Sequence, residues 1–385
     1  MMRHKLAKRV QEVPPSGIRK FFDLVANVEG VISLGVGEPD FITPWHIREA
    51  CIYSLERGYT MYTSNYGLAE LREAIALATK RRYGIDYSYE DEVLITVGVS
   101  EAFDLAIRAL VNPGDEVLIP EPTYVAYKPC TIFAGGRAVS VPTSVEEEFR
   151  LTPELLEARI TPRSKVLVLN YPNNPTGATM RRRDLEAIAD VVVEHDLVVI
   201  SDEIYDRLTY EEKHVPFASL NGMRERCICL NGFSKSYAMT GWRIGYALGD
   251  AEVIEAMMKI HQYAMLCAPI MSQKAALEAL RSGNNAVEEM RREYNRRRRF
   301  VVKRLREIGL ECFEPRGAFY VFPSIASTGM GSEEFAERLL KEQRVAVVPG
   351  TAFGEGGEGH VRMAYAASLR DLGEAMSRLE KFLSR

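Results

Sequence analysis

Long apolar runs are missing from this chain of 385 residues. None reaches the length, about 20 residues, that a membrane-spanning helix needs. The opening Met1-Met2-Arg3-His4-Lys5 leads into no signal-peptide core, so a cytoplasmic protein without a membrane partner is expected. Cysteine is scarce, six in all, which excludes a disulfide framework. Cys227 and Cys229 alternate within an apparent strand and share a face, yet no second Cys or His pair stands nearby to complete a metal site. Buried reduced thiols are expected there, and no metal. The six histidines are scattered without zinc-protease spacing. Charge of one sign is lacking as well: a net charge of −4 gives no global attraction for nucleic acid or an anionic surface. The run Arg296 to Arg299 is the one local exception. It covers every face of a helix instead of forming a stripe, and Glu288, Glu289 and Glu293 stand beside it, so a solvated helix surface is expected.

What is present is an alternation of strands and helices from about residue 90 to 250. It implies a mostly parallel sheet with helices on both faces, whose ligands bind beyond the strands' carboxyl ends. Val93 to Val97 is an apolar β-branched run, Gly98 a turn, and Phe103, Ala106, Ile107 and Leu110 recur at helical spacing. That order places free N–H groups and a positive dipole end at Val99 and Ser100, where an anion can sit. Tyr124 closes another strand and offers either a stacking face or core packing. Leu197 to Ile200 runs into Ser201-Asp202-Glu203-Ile204-Tyr205. A carboxylate at the end of a buried strand needs a positive partner, and Asp202 and Glu203 are the two candidates. Near the carboxyl end, Arg362 lies inside an apolar alternating strand and requires an anion that fits its fork, or else an internal salt bridge. Thr43 and Pro44 read as the cap and first residue of a helix that Gly58 ends.

The stretch Asn231 to Gly245 carries Ser234, Lys235, Gly241 and Arg243 at spacings that resemble the cofactor-lysine signature of the class I/II pyridoxal-phosphate aminotransferases. Further segments resemble that family in its order: Gly35-Val-Gly-Glu-Pro-Asp40, Tyr62 to Gly67, Gly98 to Ala102, Asn174-Pro-Thr-Gly177 and Asp202 to Tyr205. The resemblance spans nearly the whole chain. It implies a fold type I transferase, an α/β fold with a mostly parallel seven-stranded sheet and a smaller α+β domain built from both chain ends. The expected division is an arm and first part of the small domain over 1–45, a large cofactor-binding domain over 46–285, and the rest of the small domain over 286–385.

By the same resemblance Lys235 would be the covalent anchor of pyridoxal 5′-phosphate. Asp202 would hold the pyridine nitrogen's charge, and Asn174 and Tyr205 would hydrogen-bond the 3′ oxygen. Tyr124 would cover the ring, and Gly98, Val99, Ser100, Ser234 and Arg243 would hold the phosphate. Gly37, Asn174 and Arg362 would take the substrate, with Arg362 on its α-carboxylate. Tyr62 would reach the cofactor phosphate of a partner in a homodimer. The family often carries a hydroxyl at the position of Gly232, which removes one expected phosphate contact.

The implied activity is ping-pong amino transfer from an L-amino acid to a 2-oxo acid such as 2-oxoglutarate. The closest likeness is to archaeal and thermophile aromatic and aspartate enzymes. The segment Ser16 to Phe22 carries part of that likeness, and a similar opening, with Gly17-Ile-Arg-Lys-Phe21, also occurs in relatives acting on diaminopimelate-type donors. A β-C–S lyase, a decarboxylase and a non-enzymatic regulator of the same fold are the rival readings. Arg19 is the candidate for a side-chain carboxylate, against a surface role.

Overall fold

The fold is described from a computed structural model that covers residues 5–15, 17–18 and 28–384. Arg19, Ser16 and most of the opening segment lie outside the described residues.

Strands are numbered in chain order: β1 (Ile32–Ser33), β2 (Val93–Thr96), β3 (Glu116–Glu121), β4 (Arg137–Pro142), β5 (Ser164–Asn170), β6 (Val198–Asp202), β7 (Cys227–Gly232), β8 (Gly245–Leu248), β9 (Tyr320–Val321), β10 (Val345–Ala346), β11 (Val348–Pro349) and β12 (Val361–Ala364). Seven of them form one sheet in the order β2-β8-β7-β6-β5-β3-β4. The neighbours among β4, β3, β5, β6 and β7 run parallel, and β8 is antiparallel to both β7 and β2. Both faces of the sheet are covered, so β2, β3 and β7 are buried along their whole length. One cover is the helix Val99–Leu110, whose Phe103, Ala106 and Ile107 pack under Leu94, Val117 and Ile228.

Residues from the two chain ends meet away from this sheet. β1 pairs in parallel with β10, and β9, β12 and β11 form a small antiparallel sheet. The run Arg344 to Val348, which reads as one strand in the sequence, is divided: β10 joins β1, whereas β11 joins β12.

Two expectations fail here. Thr43 does not cap the helix Trp45–Glu56; its hydroxyl donates to the Ala238 carbonyl at 2.5 Å, and no side chain caps that helix. The arginine run is a solvated surface only in part: Arg296 and Arg299 are exposed, and the two between them are not. Arg297 and Arg298 of the helix Asn284–Glu307 have side chains only 8% and 1% exposed. Arg297 grips Asp40 (2.8 Å) and Glu293 (2.9 Å), while Arg298 donates to the Pro315 carbonyl (2.6 Å) and pairs with Glu211 (3.0 Å) and Glu314. A run that covers every face of a helix must put members on the inward face, and these are stable there because each charge meets acid.

Candidate active site

The carboxyl ends of the central strands open into a cavity of about 510 Å³. Gly37, Val99, Ser100, Tyr124, Asn174, Asp202, Tyr205, Ser234, Lys235, Arg243 and Arg362 all line it. Gly98 adjoins it as the residue before the helix Val99–Leu110. Tyr62 is not among the lining residues; it stands 81% exposed. Neither is Glu203, whose carboxylate accepts from Ser201 Oγ (2.8 Å), the Phe217 N–H (3.2 Å) and His214 (2.9 Å) on the other side of the strand end. A second cavity of similar volume lies between Pro14, Ile132, Ala336 and Ala352. It is lined largely by apolar side chains, with Lys128, which pairs with Glu121, and Glu333, Glu337 and Thr351 among them.

At one end of the first cavity the chain builds an anion cradle. Gly98 (φ 80°) turns the backbone so that the helix starts at Val99 with no side chain satisfying its first N–H groups. A Cβ on Gly98 would stand 2.7 Å from Arg243 Nη2, so the guanidinium lies directly against the glycine. Arg243 itself takes a left-handed backbone (φ 50°) to put its side chain there. At the departure from the family pattern, a Cβ on Gly232 would stand 3.0 Å from Gly245 Cα and 3.1 Å from the Ile244 carbonyl oxygen. β7 and β8 pack so closely there that any side chain would require the backbone to give by a few tenths of an ångström.

At mid-cavity stands Lys235, whose Nζ donates to the Gly37 carbonyl at 2.6 Å. Burial, then the positive charges of Arg362 and Arg243, bring its ammonium down to about 8. Facing it is the fully buried Asp202, whose carboxyl burial pushes up to about 6. Two donors oppose that rise: the Tyr127 hydroxyl on Oδ2 (2.7 Å) and the Ile204 N–H on Oδ1 (3.2 Å). Among the described residues no cation touches the carboxylate, which leaves it able to take a positive ring nitrogen.

At the far end, Arg362 donates from Nη1 to Asn174 Oδ1 (2.8 Å) and from Nη2 to the Gly35 carbonyl (2.7 Å). Because a guanidinium only donates, the Asn174 atom facing it is the oxygen, which leaves the amide N–H₂ to donate elsewhere. Arg362 Nε is buried without a partner among the described residues. An unpaired buried donor on a charged fork calls for an anionic ligand.

The motifs did not single out Tyr127, Tyr320 or Asn170. Asn170 accepts the Asn174 N–H (3.2 Å) and donates to the Asp202 carbonyl (3.2 Å), locking the two strand ends together. An aromatic one helical turn beyond Tyr124 was the available signal for Tyr127, and the strand pattern Gly317 to Phe322 the signal for Tyr320.

An anion cradle, a lysine with a lowered ammonium, a carboxylate awaiting a cation and a half-filled arginine fork fit pyridoxal phosphate and an amino-acid carboxylate together. Comparison with known proteins agrees. The family model for aminotransferase class I and II matches residues 29–379. The chain belongs to that family. It is 49% identical over 381 residues to an aromatic-amino-acid aminotransferase of Thermococcus litoralis, covering 98% of both chains. It is 50% identical over 381 residues to an aspartate aminotransferase of Pyrococcus abyssi, again at 98% of both. The crystal structure of an aromatic aminotransferase from Pyrococcus horikoshii superposes with a TM-score of 0.91 at 49% identity, covering 95% of this chain and 98% of that one. The protein is therefore a pyridoxal-phosphate-dependent aminotransferase of fold type I.

Proposed function

We propose that this aminotransferase prefers an aromatic L-amino acid as donor, with aspartate second, and delivers the amino group to a 2-oxo acid such as 2-oxoglutarate. The observation that carries the preference is a count of cations. Among the described residues lining the cavity only Lys235, Arg243 and Arg362 are cationic, and each has a task. The walls left for a side chain are Ile18, Val125, Tyr124 and Tyr320, which suit a ring better than a second carboxylate.

In this reading Val99, Ser100, Ser234 and Arg243 hold the cofactor phosphate, Tyr124 covers its ring, and Asn174 and Tyr205 donate to its ring oxygen. Bound in this way, pyridoxal phosphate supplies an electron sink that makes the substrate's Cα proton removable. Asp202 keeps the ring nitrogen protonated and so sustains that sink. Arg362, flat between Asn174 and Gly35, orients the α-carboxylate, with Gly37 leaving room beside it. Lys235 anchors the cofactor covalently; once displaced, its Nζ takes and returns the proton at Cα, and an ammonium brought down to about 8 releases it near neutral pH. The pairing of β1 with β10 supports a small domain drawn from residues 1–45 and 286–385 around the large domain of 46–285.

The reading extends to a homodimer with Tyr62 reaching the partner's phosphate, in a protein of the cytoplasm. Its support is a set of large apolar side chains left in solvent: Trp45, Tyr53, Met61, Tyr62, Tyr263 and Met265 are all exposed. Sedimentation checks it, since a monomer at micromolar concentration contradicts the shared site. The substrate is tested by titrating the loaded protein, without acceptor, with phenylalanine, tyrosine, aspartate and glutamate, and following the cofactor's absorbance. Conversion at lowest concentration by an aromatic donor is expected; conversion by aspartate at lower concentration overturns the preference.

A further inference from the structure

The hydroxyls of Tyr205 and Tyr320 stand 2.8 Å apart beside the cavity, and both side chains line it. They come from separate parts of the chain. Tyr205 follows β6, whereas Tyr320 opens β9 in register with Ala364 of the strand that carries Arg362. Each phenol has one proton, so only one of the two can donate to the other. Among the described residues neither hydroxyl has a further hydrogen-bond partner. If Tyr205 gave its proton to Tyr320, it would turn only a lone pair toward the cavity. If Tyr320 gives, the Tyr205 proton is free to point inward.

We propose that Tyr320 is a positioning residue that donates to Tyr205 and so directs the Tyr205 proton onto the cofactor's ring oxygen. The inference rests on the reading of Tyr205 given above. Three contacts hold Tyr320 in place. The Arg362 guanidinium carbon lies 4.6 Å from the Tyr320 ring centroid, and the Phe319 ring packs at 4.7 Å. A Cβ on Gly37 would come within 3.0 Å of the Tyr320 hydroxyl, so the absence of a side chain there leaves the hydroxyl its place. Burial holds both phenols above their ordinary range, so each keeps its proton to donate. The charged and titratable groups facing the pair are Arg362, Asp202, Tyr124 and Lys235, whose Nζ is 6.0 Å from the Tyr205 ring centroid.

A hydroxyl that accepts a hydrogen bond donates a stronger one, by about 10–30%. Tyr320→Phe keeps the ring under Arg362 and removes only that support. The cofactor oxygen then holds more negative charge, and the proton it shares with the neighbouring lysine-linked nitrogen stays to higher pH. The experiment is a spectrophotometric pH titration of the loaded protein as wild type, Tyr320→Phe, Tyr205→Phe and the double variant. For Tyr320→Phe the midpoint should rise by about two- to fivefold in proton affinity, roughly 0.3–0.7 pH unit. Tyr205→Phe should rise further, and the double variant should match it. Two results overturn the inference alone: Tyr320→Phe unmoved while Tyr205→Phe shifts, or the Tyr320→Phe shift persisting in full on the Tyr205→Phe background. An unmoved Tyr205→Phe overturns the Tyr205 reading and this inference with it. Unchanged thermal midpoints and an unchanged KM for the donor show that the ring still faces Arg362.

Discussion

Removing the hydroxyl of Tyr127 should move the pH at which the protein binds its cofactor. Asp202 lies fully buried, and burial has already raised its carboxyl to about 6. The Tyr127 hydroxyl, 2.7 Å from Oδ2, is the strongest force acting against that rise. A hydrogen bond to a charged group contributes about 1.5–3 kcal/mol, which is about 1–2 pKa units. Tyr127→Phe keeps the ring against Phe103 (4.6 Å) and Tyr124 (5.6 Å) and so leaves the packing intact. The Asp202 carboxyl should then titrate at about 7–8. In the proposed reading only the carboxylate would hold the charged ring nitrogen, so cofactor affinity should fall as pH drops through that value. At pH 7 the variant should bind pyridoxal phosphate about two- to tenfold more weakly than wild type, and above about pH 8.5 the two should converge. Fluorescence titration of cofactor-free protein between pH 6 and 9 measures this. Parallel curves, with the same deficit at every pH, would refute the argument, because a packing defect would not titrate.

Other perturbations test the remaining groups. Arg362→Lys keeps the charge but loses the fork that Asn174 and Gly35 hold flat; donor KM should rise on the order of tenfold or more at unchanged cofactor affinity, by steady-state kinetics. Gly98→Ala forces a Cβ to 2.7 Å from Arg243 Nη2 at a φ of 80°, so phosphate affinity should fall with a loss of about 1–2 kcal/mol in thermal unfolding. Glu203→Gln concerns stability and not the site. Burial opposes charge on both Glu203 and His214, but their mutual attraction wins, holding the carboxyl below its usual range and the imidazole above. The histidine's contribution is fully present below its unfolded value of about 6.5 and is lost as pH rises through its higher folded value. The carboxylate's contribution is present above its unfolded value of about 4.3 and is lost as pH falls through its lower folded value. Melting temperature should therefore decline above about pH 6.5 in the wild type, and that decline should flatten in Glu203→Gln.

Much of the site was legible because its groups hang on local devices. A strand, Gly98 and an amphipathic helix announce an anion cradle from spacing alone. Asp202 over Glu203 was a matter of register, and the strand end does turn the first into the cavity and the second toward His214. Asn170, Tyr127 and Tyr320 were not legible as site residues for one shared reason. Each acts on a group supplied by another element, at sequence separations of 32, 75 and 115 residues. No periodicity or turn chemistry records such a contact.

The arginine run shows the same limit from the other side. Counting charges along Arg296 to Arg299 describes a surface, because an isolated helix offers nothing else. What reverses the outcome is tertiary: Asp40 follows the Gly37 turn and Glu211 lies beyond Tyr205, and both bring acid to the inward face of the helix. Arg297 thereby ties that helix to the loop whose Gly37 carbonyl accepts from Lys235. A charge that composition assigns to solvent is thus built into the support of Lys235. The link is testable, because Arg297→Met should lower the thermal midpoint and also weaken donor binding, whereas the exposed Arg296→Met should do neither.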